Sequence, residues 1–278
     1  MNRPRAILVT FFILSLLLEA FSVAAVGQNP GVSYSTEEQM RADLDAVPCK
    51  NEARLEAVKA LFEKMGAATS EMTIEKKHTE NLVVRIRGAS DDKLVIGAHY
   101  DKVSDGCGAI DNWTGIVIVA HLYRTLKQRQ LTKTLIFVAF GKEEAGLVGS
   151  RDMVSAIPKT ELPKYCAMIN LDSFGLGAAQ VAHNLSNKKL EDAAARLAKE
   201  MMVTFGNSPI MGDADSSSFL ARKIPAVTLH GLAGDWPSIL HSAKDQASLI
   251  LPGGLSVGYR LALALALDID KSPCDAFR

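Results

Sequence analysis

The 278 residues include 31 Lys and Arg against 31 Asp and Glu, so the formal net charge is zero, and no block of like charges stands out. This balance argues against nucleic-acid binding and against steering towards an acidic surface. The length is sufficient for one α/β domain with a large core.

The N-terminus has the pattern of a secretory signal peptide. Two arginines precede an apolar run at 6–18, and small residues follow at 23–25. This order predicts a signal peptide over 1–25 and a mature chain over 26–278. A retained membrane anchor is the alternative, but the apolar run is shorter than the roughly 20 residues of a spanning helix. The sequence therefore predicts a secreted or periplasmic protein that has no membrane association after cleavage.

Four cysteines, Cys49, Cys107, Cys166 and Cys274, lie in this exported chain. They allow three pairings, and the sequence alone does not choose among them. The preferred pair is Cys49–Cys274, because both lie beside a proline near the two ends of the mature chain and oxidising compartments support disulfides. Free buried thiols are the alternative. No CxxC motif is present, which argues against a cysteine zinc site.

The predicted elements alternate between helices and strands along the chain. Helices are predicted at 35–47, 52–65, 115–129, 144–155, 187–202 and from about 246 or 252 to 268. The first of them opens with the capping-box pair Ser35 and Glu38. Strands are predicted at 81–88, 93–100, 134–140, 167–172 and 225–231, several of them apolar on both faces. This alternation predicts one α/β domain around a largely parallel sheet.

Polar residues collect where the predicted strands end. They are His99 and Asp101, Glu143 and Glu144, and Asp172, with Asp111 in "GCGAIDNWTG" and His241 and Asp245 in "SILHSAKD". Because sites in open α/β sheets form beyond the carboxyl ends of the strands, we expect these side chains at one edge. Each has a simpler explanation alone; Asp111, for example, could be only an N-cap. Together, imidazole and carboxylate donors suit zinc and related divalent ions.

Glu143 and Glu144 stand side by side after the apolar run "LIFVAF". A solvated surface pair is the simplest interpretation of two neighbouring like charges. A metal site gives another, because a metal polarises a scissile carbonyl and lowers the pKa of its bound water. A carboxylate beside the metal, but not bound to it, then takes the proton of that water. The two glutamates would then have different roles.

The ordered motifs from about residue 81 to the C-terminus resemble those of the secreted di-zinc aminopeptidases of the bacterial leucine aminopeptidase type. They are "HYD" at 99–101, "GAIDNWTG" from 108, "EEAGLVGS" from 143, "NLDSFG" from 170, "ADSSSF" ending at 219 and "HSAKD" from 241. Relatives of that family include glutamate carboxypeptidase II, the plasma glutamate carboxypeptidases and the glutaminyl cyclases. The resemblance implies a single domain of the zinc-exopeptidase type, with a mixed, largely parallel sheet of about eight strands between helices.

The resemblance also implies two zinc ions as cofactors and a role for each residue of the site. The implied ligands are His99 and Asp172 for one zinc, Glu144 and His241 for the second, and Asp111 as the carboxylate that bridges the pair. Glu143 takes the position of the general base. Asp101 takes that of a carboxylate that hydrogen-bonds His99 and fixes its tautomer, so it is counted with Glu143 as catalytic. Asp245 is expected to support the His241 loop.

The sequence departs from the family pattern on the substrate side. Family members often have Asp-His where this chain has Asp215 followed by serine, and no tyrosine lies between 165 and 259 to stabilise an oxyanion. His230, Trp236 or zinc itself could supply that stabilisation. Asp215, His230 and Trp236 are therefore the candidate substrate-binding residues, and the preference of the side-chain pocket stays open.

These residues predict a secreted, metal-dependent exopeptidase, and a monomeric aminopeptidase is the preferred activity. It would hydrolyse N-terminal residues of peptide substrates through a zinc-bound water, with Glu143 as general base. A glutaminyl-peptide cyclotransferase on the same fold is the first alternative; such enzymes use one zinc, and their acidic loop differs from "GKEEAGLVGS". Carboxypeptidase and dipeptidase activities are also open. A non-catalytic binding module is the last alternative, because every implied ligand and the base are present.

Overall fold

Eight strands and seven α-helices form in residues 32–278, the part of the chain that this computed structural model describes. The strands are β1 (Met72–Lys76), β2 (Glu80–Ile86), β3 (Lys93–His99), β4 (Thr134–Phe140), β5 (Tyr165–Leu171), β6 (Ala179–Ala182), β7 (Phe205–Ser208) and β8 (Ala226–His230). The helices are α1 (Glu37–Asp45), α2 (Asn51–Lys64), α3 (Thr114–Leu126), α4 (Val148–Ala156), α5 (Lys188–Glu200), α6 (Asp215–Ala221) and α7 (Gly254–Lys271). The predicted signal peptide at 1–25 lies outside the described residues. Among the helices just named, none is long and apolar enough to cross a membrane.

The strands form one mixed sheet in the order β1-β2-β4-β3-β5-β8-β6-β7. β4, β3, β5 and β8 are parallel neighbours at its centre. β2 and β6 pair antiparallel with the two sides of this group, β1 pairs antiparallel with β2, and β7 pairs parallel with β6. From β3 the chain first adds β4 on one side and then β5 on the other, so the strand order reverses between β3 and β5. In open α/β sheets, such a reversal leaves a crevice beyond the carboxyl ends of the strands.

Helices cover both faces of the sheet, because its central strands are apolar on both faces. Along β3, Leu94, Ile96 and Ala98 pack into the larger core with α1, α2, α3, α5 and α7, whereas Val95 packs with α4 and α6. Successive side chains of a strand point to opposite faces, which explains this alternation. Burial of one such aliphatic side chain stabilises the fold by about 1.5–3 kcal/mol. The predicted fold class, one α/β domain with a largely parallel mixed sheet between helices, is confirmed.

Two of the differences between the predicted and the observed helix boundaries have a visible cause. The helix predicted at 144–155 begins at Val148, because a turn occupies the residues before it and Leu147 has a positive φ of 59°. The N-cap of α1 is Thr36, whose side chain accepts from the backbone N–H of Gln39, and not the predicted Ser35. The first of these shifts removes Glu144 from the helix and places it in the turn.

The preferred Cys49–Cys274 bridge is wrong. The structure pairs Cys49 with Cys107 and Cys166 with Cys274. Cys49 lies two residues before α2, and the first turn of α2 contacts the loop that contains Cys107. Cys274 follows α7, which returns the chain to the beginning of β5, where Cys166 lies. Each terminal region is therefore tied to the body of the domain and not to the other.

Candidate active site

The central strands direct polar residues to one edge of the sheet. β3 ends in His99, β4 is followed by Glu143 and Glu144, and β5 is followed by Asp172. These strands are parallel neighbours, so their carboxyl ends meet at the same edge. A cavity of about 290 Å³ opens there, and all five implied zinc ligands and Glu143 line it.

Asp111 lies between two groups of possible metal ligands. Its Oδ1 is 3.1 Å from Nε2 of His99, and Oδ1 of Asp172 is 3.7 Å from the same nitrogen. Its Oδ2 is 3.1 Å from Nε2 of His241, which is 3.2 Å from Oε2 of Glu144. Within each group, one ligand atom per residue lies within 4.8 Å of the others. Asp111 thus offers one carboxylate oxygen to each group, an arrangement that suits a bridging ligand.

Asp245 fixes the backbone around Asp111. Its carboxylate accepts hydrogen bonds from the backbone N–H groups of Ile110, at 2.7 Å, and Asp111, at 3.1 Å. Its own carbonyl oxygen accepts from the N–H of Cys107 at 3.0 Å. Asp245 was expected to support the loop of His241. Its side chain joins that loop to the loop of Asp111.

Asn112 fixes the same loop to the end of β5. Its side chain is fully buried, and its amide group donates to the carbonyl oxygen of Leu171 at 2.8 Å. Its Oδ1 accepts from the N–H groups of Gly115, at 3.0 Å, and Ser173, at 3.1 Å. Asp172 lies between Leu171 and Ser173, and Asp111 directly precedes Asn112. These hydrogen bonds therefore fix the distance between Asp172 and Asp111.

Glu143 and Glu144 lie in a turn between β4 and α4. The residues that flank the turn have positive φ angles of 55° and 59°. The carboxylate of Asp101 accepts from the backbone N–H of Glu143 at 2.9 Å and of Glu144 at 3.2 Å. The two adjacent side chains have different contacts as a result. Glu144 reaches His241, whereas Glu143 lines the cavity without belonging to either ligand group.

The carboxylate of Asp101 does not make the expected hydrogen bond to His99. Its Oδ1 is 3.7 Å from Nδ1 of His99, which is beyond hydrogen-bonding distance. The backbone carbonyl oxygen of Asp101 is nearer, at 3.2 Å, and can accept from Nδ1–H. This bond leaves Nε2 of His99 free to face a metal. The main chain of Asp101 is therefore the group in position to set the tautomer, and its side chain holds the turn of the two glutamates.

The titratable groups of the cavity have strongly altered pKa values. Burial raises the pKa of Glu143 to about 9, and burial together with Asp111 raises that of Glu144 to about 7. The hydrogen bond to Asp111 raises the pKa of His241 to about 9. Burial opposes protonation of His99, but the surrounding carboxylates, chiefly Glu143, raise its pKa well above the usual value. The cavity thus holds an excess of negative charge that retains protons when no metal is bound.

This donor set fits a divalent metal such as zinc. Imidazole nitrogens and carboxylate oxygens are both zinc ligands. Oε1 of Glu144 is buried and has no hydrogen-bond partner in the described part of the chain. A buried carboxylate oxygen without a partner is costly, and a cation beside it would offset that cost and the repulsion between carboxylates.

The three candidate substrate-binding residues have different surroundings. Trp236 lines the cavity. Asp215 begins α6 and is fully buried, burial raises its pKa to about 7, and neither of its carboxylate oxygens has a hydrogen-bond partner within residues 32–278. His230 is buried at the end of β8, where its Nδ1 accepts from the N–H of Leu232 and burial lowers its pKa to about 4. Of the three, Trp236 alone is among the described residues that line the cavity, and their substrate roles stay predictions.

An apolar wall, which the sequence-based prediction misses, forms another side of the cavity. It consists of Ile210, Met211, Leu232, Trp236, Pro237 and Leu240, and Asp213 adds a carboxylate at its edge. Apart from Trp236, no sequence signal marked these residues, because they lie in irregular loops after β7 and β8 where no periodic pattern indicates a shared face.

A sequence model of the peptidase family M28 matches residues 81–266, a segment that contains all five implied ligands and Glu143. The chain belongs to peptidase family M28. This membership confirms the resemblance inferred from the motifs, and in this M28 chain "HYD", "EEAGLVGS" and "NLDSFG" lie at or just after the carboxyl ends of the central strands.

The M28 chain is similar in sequence to known aminopeptidases. Aminopeptidase YwaD of Bacillus subtilis is 38% identical over 84 residues, which cover 30% of this chain and 18% of YwaD. A probable leucine aminopeptidase 2 of Arthroderma benhamiae is 26% identical over 165 residues, which cover 55% of this chain and 33% of the fungal protein. The matched stretches thus span only a third or less of these relatives.

Solved structures share the fold at low sequence identity. The Legionella pneumophila LapA aminopeptidase aligns with a TM-score of 0.70 at 20% identity, over 89% of this chain and 78% of LapA. The zinc aminopeptidase BSAP of Bacillus subtilis aligns with a TM-score of 0.63 at 22% identity, over 72% of this chain and 53% of BSAP. A glutaminyl cyclase from an Acidobacteriales bacterium aligns with a TM-score of 0.70 at 17% identity, over 89% of this chain and 99% of the cyclase. At these identities the likeness concerns the fold alone.

Proposed function

We propose that this M28 chain is a secreted aminopeptidase that uses two zinc ions to hydrolyse N-terminal residues of peptides. The observation that carries the proposal is the position of Asp111, whose two carboxylate oxygens are each 3.1 Å from a different histidine. His99 and Asp172 would hold one zinc, Glu144 and His241 the second, and Asp111 both. Glu143 lines the same cavity outside both groups, where a general base is needed.

The position of each residue supports a part in hydrolysis. When bound, the two zinc ions supply positive charge that acidifies water and polarises the scissile carbonyl. Glu143 takes a proton from the attacking water and delivers it to the leaving amine. Its pKa of about 9 in the metal-free site falls in the field of nearby dications, so that it can accept a proton at neutral pH. Asp101 keeps Glu143 in place through the hydrogen bond to its backbone.

The cavity suits the N-terminal residue of a peptide. Beyond the two ligand groups, the charged side chains that line it in the described chain are the carboxylates of Glu143 and Asp213. They attract the ammonium group of an N-terminus and repel the carboxylate of a C-terminus. The apolar wall accepts an apolar side chain next to that ammonium group. We therefore include peptides with an apolar N-terminal residue in the proposal as the substrate class.

A peptide library incubated with the zinc-loaded protein and analysed by mass spectrometry tests this function. We expect apolar residues to be lost first from free N-termini, and N-acetylated copies of the same peptides to stay intact. A chelator should abolish trimming, and added zinc should restore it. Trimming from the C-terminus would contradict the proposal. Cyclisation of N-terminal glutamine without peptide cleavage, with one zinc per chain, would identify a cyclotransferase instead.

The proposal includes export of the chain. Residues 1–25 would be removed as a signal peptide, and residues 26–278 would act as a monomeric catalytic domain outside the cytoplasm. The basic, apolar and small-residue order of the N-terminus and the two disulfides support this, because disulfides persist in oxidising compartments. N-terminal sequencing of the exported protein tests it, and an exported chain that still begins at residue 1 would contradict it.

A further inference from the structure

A buried arginine on α2 holds the loop that carries Asp111. Arg54 is fully buried, and its guanidinium donates hydrogen bonds to the carbonyl oxygens of Cys107 and Gly108, each at 2.9 Å. The same group lies over the indole ring of Trp113, 5.3 Å from its centroid. Arg54 thus contacts the loop both before and after Asp111.

Two further residues at the beginning of α2 contact the same loop. The side chain of Asn51 pairs with the backbone of Lys102, donating to its carbonyl oxygen at 2.7 Å and accepting from its N–H at 2.9 Å. The Cys49–Cys107 disulfide adds a covalent link between this loop and the residues just before α2. We call Cys49, Asn51 and Arg54 the α2 clamp.

The loop has no free space on either side. A Cβ atom at Gly108, which has a positive φ of 57°, would lie 2.9 Å from Nη1 of Arg54. A Cβ atom at Gly106 would clash with the carbonyl oxygen of Ser242, in the segment that follows His241. The loop is therefore packed between the α2 clamp and the segment that carries the histidine of the second ligand group.

We propose that Arg54 is a positioning residue of the metal centre. Together with the rest of the α2 clamp, it holds Asp111 where one carboxylate oxygen faces each ligand group. This inference rests on the proposed di-zinc function. Arg54 belongs to neither ligand group, and it is not among the residues that line the cavity in the described chain. It acts through the backbone of the loop.

The charge of Arg54 and its hydrogen bonds have opposite effects on zinc binding. Its charge lies near enough to interact with Asp101, Asp111, Glu144 and Asp245, so as a cation it disfavours a dication at the same place. Its planar fork of donors, in contrast, spans two adjacent carbonyl groups and favours the loop geometry that zinc needs. The direction in which zinc affinity changes on substitution separates the two effects.

Arg54→Lys and Arg54→Met test the inference through zinc affinity, measured by competition with a chelating dye, and through the thermal midpoint of the metal-free protein. We expect both variants to bind zinc about 10- to 100-fold more weakly, the range for residues that orient metal ligands. Lysine keeps the charge, but one ammonium group cannot reproduce the fork. Tighter zinc binding by Arg54→Met would show that the charge of Arg54, and not its hydrogen bonds, determines its effect on zinc, and it would overturn the inference. So would unchanged affinity with a lowered thermal midpoint.

Two matched controls separate positioning from general stability. Arg278 also donates to backbone carbonyl groups, but at the beginning of β5, at the opposite end of the sheet, so Arg278→Lys should leave zinc affinity unchanged. The double variant Cys49→Ser/Cys107→Ser should weaken zinc binding, whereas Cys166→Ser/Cys274→Ser should lower only the thermal midpoint. The disulfide variants leave the buried charge intact, so they test the clamp even where an Arg54 variant folds poorly.

The outcome also distinguishes this inference from the proposed function. A wild-type protein that binds no zinc would overturn the proposed function and the inference together. A wild-type protein that binds zinc, while Arg54→Lys and the Cys49→Ser/Cys107→Ser variant bind it equally tightly, would overturn the inference and leave the proposed function standing.

Discussion

At the scale of single residues, the adjacent Glu143 and Glu144 differ in what their carboxylates contact. Oε2 of Glu144 is 3.2 Å from Nε2 of His241, so its charge has a partner in one ligand group. Glu143 belongs to neither group, although it lines the same cavity. In the proposed enzyme, one glutamate therefore governs metal affinity and the other governs the rate.

Glu143→Ala should keep zinc binding and lose most of the turnover. The substitution removes the base but no ligand, and a general base contributes about 10²- to 10⁴-fold to the rate. Zinc content by mass spectrometry and kcat with an amino-acid anilide measure the two quantities separately. Glu144→Ala is the matched comparison, since it should lose zinc as well. Activity retained by Glu143→Ala would contradict the assigned roles.

Asp111→Ala should weaken the binding of both zinc ions. Each of its carboxylate oxygens faces a different ligand group, so one substitution removes a ligand from both. We expect a loss of at least about tenfold at each site, the lower limit for residues that merely orient ligands. Asp213→Ala, at the edge of the same cavity, should leave zinc titrations unchanged. Loss of a single zinc from Asp111→Ala would argue against a bridge.

At the scale of elements, the turn between β4 and α4 depends on a carboxylate from the end of β3. Asp101→Ala removes the acceptor of the Glu143 and Glu144 backbone N–H groups, while the backbone carbonyl that faces His99 remains. We expect turnover and zinc affinity at the Glu144 group to fall together, by about 10- to 100-fold.

The comparison for this variant is Asp91→Ala, which changes an exposed aspartate just before the other end of β3. It should leave both quantities unaltered. If Asp101→Ala instead weakened only the zinc held by His99, the carboxylate would act on the histidine, as the family resemblance implies, and not on the turn.

The central elements could be predicted from the sequence, because burial on both faces leaves a continuous apolar run. The strands β3, β4, β5 and β8 and the helix α3 all have such runs, and the polar residues after them fall at one edge. The short outer strands β1, β6 and β7 were missed. They have only four or five residues each, and β1 is largely half-exposed, so neither length nor alternation marks them. The short helix α6 was also missed, since three of its seven residues are serine, a poor helix former.

What the sequence could not supply were contacts between loops that are distant along the chain. The motif residues were found because their chemistry is distinctive, whereas the apolar wall, the α2 clamp and the Cys49–Cys107 pair depend on how loops fold over the sheet edge. The same limit explains the wrong disulfide. Cys49 and Cys274 lie near the two ends of the predicted mature chain, but each end packs on a different part of the domain. Their places in the sequence therefore do not indicate the distance between their sulfur atoms.

At the scale of the whole molecule, charge is balanced over the chain but not within it. The 31 basic and 31 acidic residues cancel, yet the cavity and the residues buried beside it include groups that burial and mutual repulsion keep protonated. The pKa of Glu143 is raised to about 9, and those of Glu144 and Asp215 to about 7. The pKa of His241 is raised to about 9 by its hydrogen bond to Asp111. In the metal-free protein, bound protons therefore offset part of the negative charge that zinc would otherwise offset.

The metal-free protein should lose stability as pH rises from about 5 to about 9. A group whose pKa is raised by folding binds protons more tightly in the folded state, so its stabilising contribution is complete below its unfolded pKa and disappears as pH passes its folded pKa. The raised carboxyl groups and His241 all have this sign. The pKa of Asp111 is lowered, and its effect falls at acidic pH, outside this window. The pKa of His230 is lowered to about 4, so its opposite contribution is confined to the acidic part of the window and is outweighed by the four raised groups. Urea unfolding at pH 5, 7 and 9 measures the trend. Saturating zinc should flatten or reverse it, because the metal binds deprotonated ligands more tightly as pH rises. Metal-free stability that increases with pH over this range would show that the cavity does not retain protons and would remove the electrostatic argument for a dication there.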